Sequence, residues 1–322
     1  MLGLLLFTAL SLPTHAQWFT EQRDIMGTRI DVSLWHDDAP QGHAAVEAVM
    51  AEIERLDLLL SPYKSISELS RFNQQAGTGL VSVSLEFARL LEKSLYYSRL
   101  SEGAFDITFA SLGQYYDYRR GQKPTKAQSQ ALLEEIDYRH VFVDREALQA
   151  SMASASMKID LGGIAKGYAV DRAVAIMRHY GVVHGSVGAG GDSRVLGDKR
   201  GKPWVIGIKN PRKVDAVAVK LPLDNVAIST SGDYERYFID ADSGERIHHI
   251  LNPRTGESAS GVVSVSVLGP HGIDTDPLST TVFVLGVEKG LALINRLDGV
   301  DAIVIDRWGQ VFYSDGLQQP NS

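Results

Sequence analysis

The sequence predicts an α+β fold in which mainly antiparallel sheets carry packed helices. Segments of alternating polarity recur along the chain between short turns, so consecutive strands return beside one another. Other stretches repeat their apolar residues every three or four positions, the period of a helix lying on a core. The 322 residues are 44% hydrophobic and 22% charged, enough length and apolar content to bury a core without outside help.

The elements follow in chain order. Residues 1–16, MLGLLLFTALSLPTHA, form a short apolar run ending in small residues before Gln17, the pattern of a secretory signal peptide. The run is too short to span a bilayer, and the first basic residue is Arg23. A buried N-terminal helix is the competing reading. Thr28 to Leu34 alternates, with Ile30, Val32 and Leu34 on one face of a half-buried strand. Val46, Val49, Ile53, Leu56 and Leu60 mark a helix, and a second runs from a Ser84 cap through Phe87, Leu90, Leu91 and Leu95 to Gly103. The polar stretch from Gln122 to Gln130 reads as a surface excursion. A third helix carries Val170, Val174 and Met177 and stops at Gly181. Strands are expected over 204–208, 214–221 and 262–268, then at 302–305 and 311–313 around a Trp308-Gly309 turn. With no repeat or low-complexity linker, the chain divides into a signal peptide over 1–16 and one domain over 17–322.

A net charge of −7 without a long Lys/Arg run argues against nucleic-acid binding, which needs a basic face to displace counterions. One nucleotide held at a local site remains compatible. The absence of cysteine rules out disulfides, a thiolate nucleophile, a Cys-ligated metal and a lipid anchor through cysteine. The expectation is a soluble, exported enzyme of the periplasm or a similar extracytoplasmic space.

Several segments are poor in packing logic and rich in polar, glycine or turn residues: Met26-Gly27-Thr28, SPYKSISELSRFN (61–73), EGAFDIT (102–108), KIDLGGIAKGYAVD (158–171), STSGDYERYF (229–238), HHILNPRTG and DTDPLST (274–280). DLGGIAKGYAVD places two glycines and Lys166 at a helix entry, where free N–H groups and a lysine suit a phosphate. It lacks the P-loop spacing, and GSVGAGGD (185–192) fails the dinucleotide fingerprint. A tight loop with a solvated Lys166 explains the segment equally well. In DTDPLST, Asp276 reads as an N-cap with Pro277 at the first helical position, and a cap alone accounts for both. The Thr280 hydroxyl one turn on and the second acid at Asp274 add hard oxygen ligands suited to Mg²⁺. His248 and His249 face opposite sides of a strand, so at most one reaches a given site. Tyr63 and Phe105 fit either core positions or flavin platforms, and the sequence favours core.

MGTRIDVSL, LSPYKSISELSRFN, SEGAFDITFASL, IDLGGIAKGYAVDRA, AISTSGDYERYF, HHILNPRTG and DTDPLSTTVFVLG occur in an order and spacing that resemble the ApbE family, the FAD:protein FMN transferases. The resemblance runs from about Trp18 to Tyr313 and implies a T-fold-related architecture. It also implies an Mg²⁺-dependent enzyme that splits FAD, joins FMN through its phosphate to a threonine of an acceptor flavoprotein, and releases AMP. The acceptor would be a subunit of a membrane redox complex or an exported flavoprotein. By that pattern Met26, Tyr63, Ala104, Phe105, Asp106, Asp160, Lys166 and Leu251 line the FAD site. Gly163 through its carbonyl, with Asp276, Ser279 and Thr280, holds Mg²⁺, and His249 is the base that activates the acceptor hydroxyl. The sequence departs from the pattern in lacking the lipoprotein cysteine of many members, and in carrying Pro277 where a small residue is common. Three rivals stay open: an FAD pyrophosphatase releasing FMN and AMP, a non-enzymatic flavin carrier, and an extracytoplasmic solute-binding protein.

Overall fold

The computed structural model describes residues 16–213 and 216–318, so the expected signal peptide lies outside the described residues except for Ala16. Strands β1 (Gln17–Ile25) and β2 (Thr28–His36) pair over their full length. Met26 and Gly27 join them with φ of 56° and 68°, a left-handed pair whose twist suits a two-residue hairpin. Ile30, Val32 and Leu34 are buried, as their alternation predicts. They lie under α1 (Ala39–Leu60), whose first turn is held by Asp38 accepting from the Gln41 N–H.

Helix α2 (Glu68–Gln74), strand β3 (Val81–Ser82) and helix α3 (Leu85–Leu100) follow. Ser84 caps α3 as expected, and the chain turns away at Gly103 with φ of 83°. Short helices α4 (Ala110–Gly113) and α5 (Lys126–Leu132) come next. The polar excursion thus contains a helix, one with no buried residue that is kept in place by a Thr125–Gln128 capping box. Strands β4 (Val141–Asp144) and β5 (Gln149–Met152) join β3 in a small sheet.

Helix α6 (Ala165–His179) ends where Gly181 adopts φ of 77°. The rest of the chain adds β6 (Gly185–Ala189), β7 (Asp192–Leu196), β8 (Trp204–Lys209), β9 (Val217–Leu223), β10 (Ala227–Gly232), β11 (Tyr237–Ile239), β12 (Arg246–His248) and β13 (Val262–Gly269). Helix α7 (Gly272–Ile294) and strands β14 (Asp301–Asp306) and β15 (Val311–Tyr313) complete it. The strand expected over 214–221 starts later and runs further, and Val214 is outside the described residues.

An eight-stranded sheet in the order β1-β2-β6-β7-β10-β13-β14-β15 organises the molecule, with every neighbour antiparallel. One face carries α1 over β1 and β2, α6 over β6 and β7, and α7 over β10, β13 and β14. The other face meets the β8–β9 hairpin through Trp204, Ile208 and Leu223 against Val195, Ile228 and Ile303. The fold is therefore the mixed α+β arrangement that the alternation of periods predicts.

Two helices cross more closely than side chains allow. A Cβ at Gly167 would lie 2.0 Å from the Gly272 carbonyl oxygen, and one at Gly272 would lie 2.3 Å from that of Gly167. Neither helix start has a capping side chain of its own, since Ile164 and His271 stand at the cap positions. Each helix instead caps the other. Asp171 of α6 accepts from the Gly272 and Ile273 N–H groups at 2.8 and 3.0 Å, and Asp276 of α7 accepts from the Gly167 N–H at 2.9 Å. This corrects the reading of Asp276 as an N-cap followed by Pro277: α7 begins one turn earlier, and Pro277 lies inside it. The reason is that a cap can come from a distant carboxylate, which frees the local sequence from supplying one.

Among the described residues α7 alone has the length and composition to cross a membrane, yet half of its most apolar stretch is buried and Gly286, at φ 80° and ψ −177°, interrupts it. Gly167→Ala should separate α6 from α7 and destabilise the fold by roughly 1–3 kcal/mol, the usual cost of overpacking. Urea unfolding measures this, and a variant as stable as the parent would contradict the reading of the crossing.

Candidate active site

Several of the predicted residues meet around the starts of α6 and α7, with Lys166 beside Asp276 and Gly163 beside Phe105 and Thr280. Lys166, in the first turn of α6, donates to the Gly162 carbonyl at 3.0 Å and stands 2.9 Å from Asp192 and 3.5 Å from Asp276. Burial works against its charge, but Asp192 and Asp276 together hold its pKa above the ordinary lysine range. Asp276 is 3% exposed, and burial, reinforced by the nearby Asp192 charge, raises its pKa to about 7 against the opposing pull of Lys166.

Around Asp276 the remaining polar groups are hydroxyls. The Ser231 hydroxyl lies 2.8 Å from that of Ser279 and 3.3 Å from that of Thr280. Gly163 borders the same space, since a Cβ there would meet the Phe105 ring at 3.0 Å and the Thr280 hydroxyl at 3.6 Å. Glycine therefore lets the loop before α6 approach both neighbours. Asp274, read as a second acid for a metal, belongs elsewhere: it bonds the Tyr97 hydroxyl and the Lys93 ammonium, each at 2.6 Å, on α3. Among the described residues no three His, Cys, Asp or Glu side chains converge on one point. The donor set of one carboxylate, two hydroxyls and nearby carbonyls is all hard oxygen. It fits a divalent cation that takes its other ligands from phosphate and water.

The two histidines differ in their surroundings, and because β12 ends at His248, His249 stands beyond the strand rather than on its opposite face. His248 is buried, with Nδ1 accepting from the Ile250 N–H at 3.3 Å and Nε2 donating to the Ala259 carbonyl at 2.9 Å. Its ring packs edge-on against Phe283, and burial lowers its pKa. His249 donates its backbone N–H to the Arg236 carbonyl, while its buried Nδ1 has no partner. Burial first, then the charges of Arg236 and His248, pull its pKa down to about 3, with Lys166 adding to the effect. His249 is thus a neutral imidazole with hydrogen-bonding capacity to spare beside two cations.

The loop after it is rigid. Asn252 receives the N–H groups of Thr255 and Gly256 on its carbonyl, and the Gly256 carbonyl accepts from the Tyr116 hydroxyl at 2.9 Å. Leu251, just before the turn, is 5% exposed. Tyr116 stacks on Tyr118 at 5.7 Å, and Tyr118 meets the His249 ring edge-on at 6.5 Å. Burial raises the Tyr118 pKa, and the charges of Tyr116 and Tyr63 add to it, which places Tyr63 in the same neighbourhood. Tyr63 itself is 84% exposed, against the expectation of a core position. It sits in the tight turn between α1 and α2, whose polar groups bond one another and leave the ring no apolar wall.

Phe105 is buried, as the core reading predicts, and Ala104 beside it is buried as well. Asp106 spends its carboxylate locally, accepting from the Thr108 N–H and hydroxyl and from the Tyr138 N–H, although burial raises its pKa. Asp160 accepts from the Gly162 N–H at 2.6 Å and is likewise raised by burial, with Arg236 and Lys166 opposing. Met26 occupies the left-handed first position of its turn, and Arg236 reaches the carbonyl of the adjoining Gly27 at 3.4 Å. Asp192, Ser231, Arg236 and the Tyr116–Tyr118 pair were not singled out from sequence. The Gly-Gly step before Asp192 and the YERY run were the available signals.

Comparison with known proteins agrees with this geometry. The ApbE family profile matches residues 26–304. An FAD:protein FMN transferase of Treponema pallidum is 32% identical over 300 residues, covering 87% of this chain and 82% of that protein. One from Haemophilus influenzae is 30% identical, covering 84% and 82%. The crystal structure of the ApbE protein of Thermotoga maritima superposes with a TM-score of 0.84 at 31% identity, covering 94% of this chain and 98% of that one. The apo flavinyl transferase ApbE of Pseudomonas stutzeri gives 0.80 at 30% identity, covering 94% and 95%.

Burial lowers the His248 pKa and, with neighbouring charges, brings that of His249 down to about 3, whereas an unfolded histidine gains a proton at pH ~6.5. Below that pH the unfolded chain therefore binds more protons, and stability must fall as pH drops, by at most about 1.4 kcal/mol per unit per histidine. Urea titrations at pH 7, 6 and 5 should show the loss, and His248→Asn should flatten it. An unchanged slope in that variant would contradict the account.

Proposed function

The chain belongs to the ApbE family, and on that premise we propose that it is an FAD:protein FMN transferase acting on a threonine of an acceptor flavoprotein, with release of AMP. What carries the reading is the pairing of a neutral, part-satisfied His249 with a lysine and a hard-oxygen cluster at two helix starts. Transfer of a phosphoryl group is mostly positioning and neutralisation of charge on the phosphate oxygens, which is what these parts supply.

In the proposed step the acceptor hydroxyl attacks the phosphorus of the FMN half. A new O–P bond forms, the pyrophosphate P–O bond breaks, and AMP departs with the bonding pair. His249 takes the hydroxyl proton. A threonine hydroxyl is a poor nucleophile near neutral pH, and the neutral His249 imidazole would accept its proton once the bound phosphates offset the Arg236 and Lys166 charges that, after burial, keep its basicity low. Lys166 would face the pyrophosphate, while Met26, Tyr63, Ala104, Phe105, Asp106, Asp160 and Leu251 would border the flavin and its linkage. Asp276 and Thr280, with the Gly163 carbonyl and Ser279 beside them, would hold Mg²⁺. The cation would neutralise charge on the phosphate oxygens. The acceptor is assigned by its chemistry as an extracytoplasmic protein, such as a subunit of a membrane redox complex, that presents a threonine. The sequence pattern at 1–16 supports that location. Residues from 17 onward form the catalytic domain.

Incubation with FAD, Mg²⁺ and candidate acceptors, followed by intact mass analysis, tests the reading. Equal free FMN and AMP, with no mass gain on any acceptor, would favour the pyrophosphatase instead. His249→Ala should keep FAD binding and lose transfer by roughly 10²- to 10⁴-fold, and full transfer by that variant would remove the histidine from the mechanism. Asp276→Asn retains an oxygen to accept from Gly167, so it should stay folded while losing turnover. Wild-type turnover that persists in excess chelator would rule out the metal.

A further inference from the structure

The stretch GSVGAGGD matches no dinucleotide fingerprint, yet its end is built with care. Gly190 adopts φ of 65°, and a Cβ there would fall 2.5 Å from the Thr28 hydroxyl. At Gly191 a Cβ would fall 2.5 Å from the Thr230 carbonyl. The two glycines let the β6–β7 turn press between β2 and β10, and the residue they deliver is Asp192, paired across the sheet with Ala189 and Ser229 and only 2% exposed.

Among the described residues its carboxylate has one cationic partner. The Lys166 ammonium sits 2.9 Å from Asp192 Oδ2 and 3.0 Å from the Gly162 carbonyl, but 3.5 Å from Asp276 Oδ1. The shared ammonium therefore leans away from Asp276. Oδ2 of Asp276 is occupied by the Gly167 N–H, and Oδ1 is left with the long contact alone. Two buried carboxylates share one ammonium, and Asp276 Oδ1, which the ammonium serves least, is the oxygen open to a second cation.

We propose that Asp192 is a positioning residue that holds the Lys166 ammonium off Asp276, so that the Asp276 carboxylate stays open to a divalent cation. The proposal rests on the metal reading above. Without a counterion of its own, Lys166 would close onto Asp276, and in a site screened from water that ion pair would have to be broken before a cation could enter. Asp192 removes the competition without itself ligating the metal.

The experiment is a titration of Mg²⁺ alone into the apoprotein, read by calorimetry and by the shift in melting temperature. Asp192→Asn should weaken Mg²⁺ binding about tenfold or more, because one charge is removed and the ammonium is released onto Asp276. The double variant Asp192→Asn with Lys166→Met has no ammonium left to compete and should return to within a few-fold of wild type. Lys166→Met alone should bind Mg²⁺ more tightly than wild type. Melting without Mg²⁺ shows which variants fold; if Asp192→Asn does not, the Lys166→Met comparison decides. Wild-type affinity in Asp192→Asn overturns the proposal, as does a double variant as weak as the single one, which would make Asp192 a ligand. Affinity in Lys166→Met that is no tighter than wild type also overturns it. A wild-type protein that fails to bind Mg²⁺ overturns the metal reading itself, a separate result.

Discussion

The close approach of α6 and α7 at Gly167 and Gly272 is the constraint on which the site depends. With no side chain between the backbones, a carboxylate on each helix can reach the free N–H groups at the other's start. Helix starts need such acceptors, and the N-terminal end of the dipole favours a negative charge there. The same contact puts Asp276 beside Lys166 and the Gly163 loop. On the proposed function, stability and chemistry draw on one carboxylate: Asp171, which Arg194 also bonds, serves only a helix start, while Asp276 would serve both.

Charge is distributed unevenly across the site. Burial, with the Arg236 and Lys166 charges adding to it, keeps the His249 imidazole neutral, while Asp192 and Asp276 compete for a single ammonium. Polar groups this poorly shared would be costly in a folding core. They make sense where a substrate bearing two phosphates and a cation completes the balance. Phe105, Ala104 and Leu251, assigned to the flavin in the proposed function, are by contrast buried, and Tyr63 is exposed.

Much of the architecture was legible because it is periodic. Ile30, Val32 and Leu34 fall on one buried face, the three expected helices, α1, α3 and α6, lie where their apolar spacing puts them, and Ser84 and Gly181 mark the ends they should. What escaped was set by distant partners. Asp276 and Pro277 imitate a helix start, and only Asp171, about a hundred residues away in sequence, shows that the start is elsewhere. Asp274 reads as a ligand until Tyr97 and Lys93 are seen to hold it. Tyr63 misled because an aromatic ring is apolar on average, and its exposure follows from a tight polar turn. Asp192 was hidden behind two glycines whose purpose appears only when β2 and β10 are beside them.

The capping exchange also governs when the molecule becomes competent. Asp171 and Gly272 are 101 positions apart, and Gly167 and Asp276 are 109. Neither helix start can be completed by contacts made during its own synthesis, so both wait for closure of a loop of that length, an event whose entropy must be met before any contact rewards it. The carboxylate, the lysine and the hydroxyls of the site assemble in that same event. A chain whose last third is missing, still in transit or not yet docked has the sequence of the enzyme but none of its chemistry.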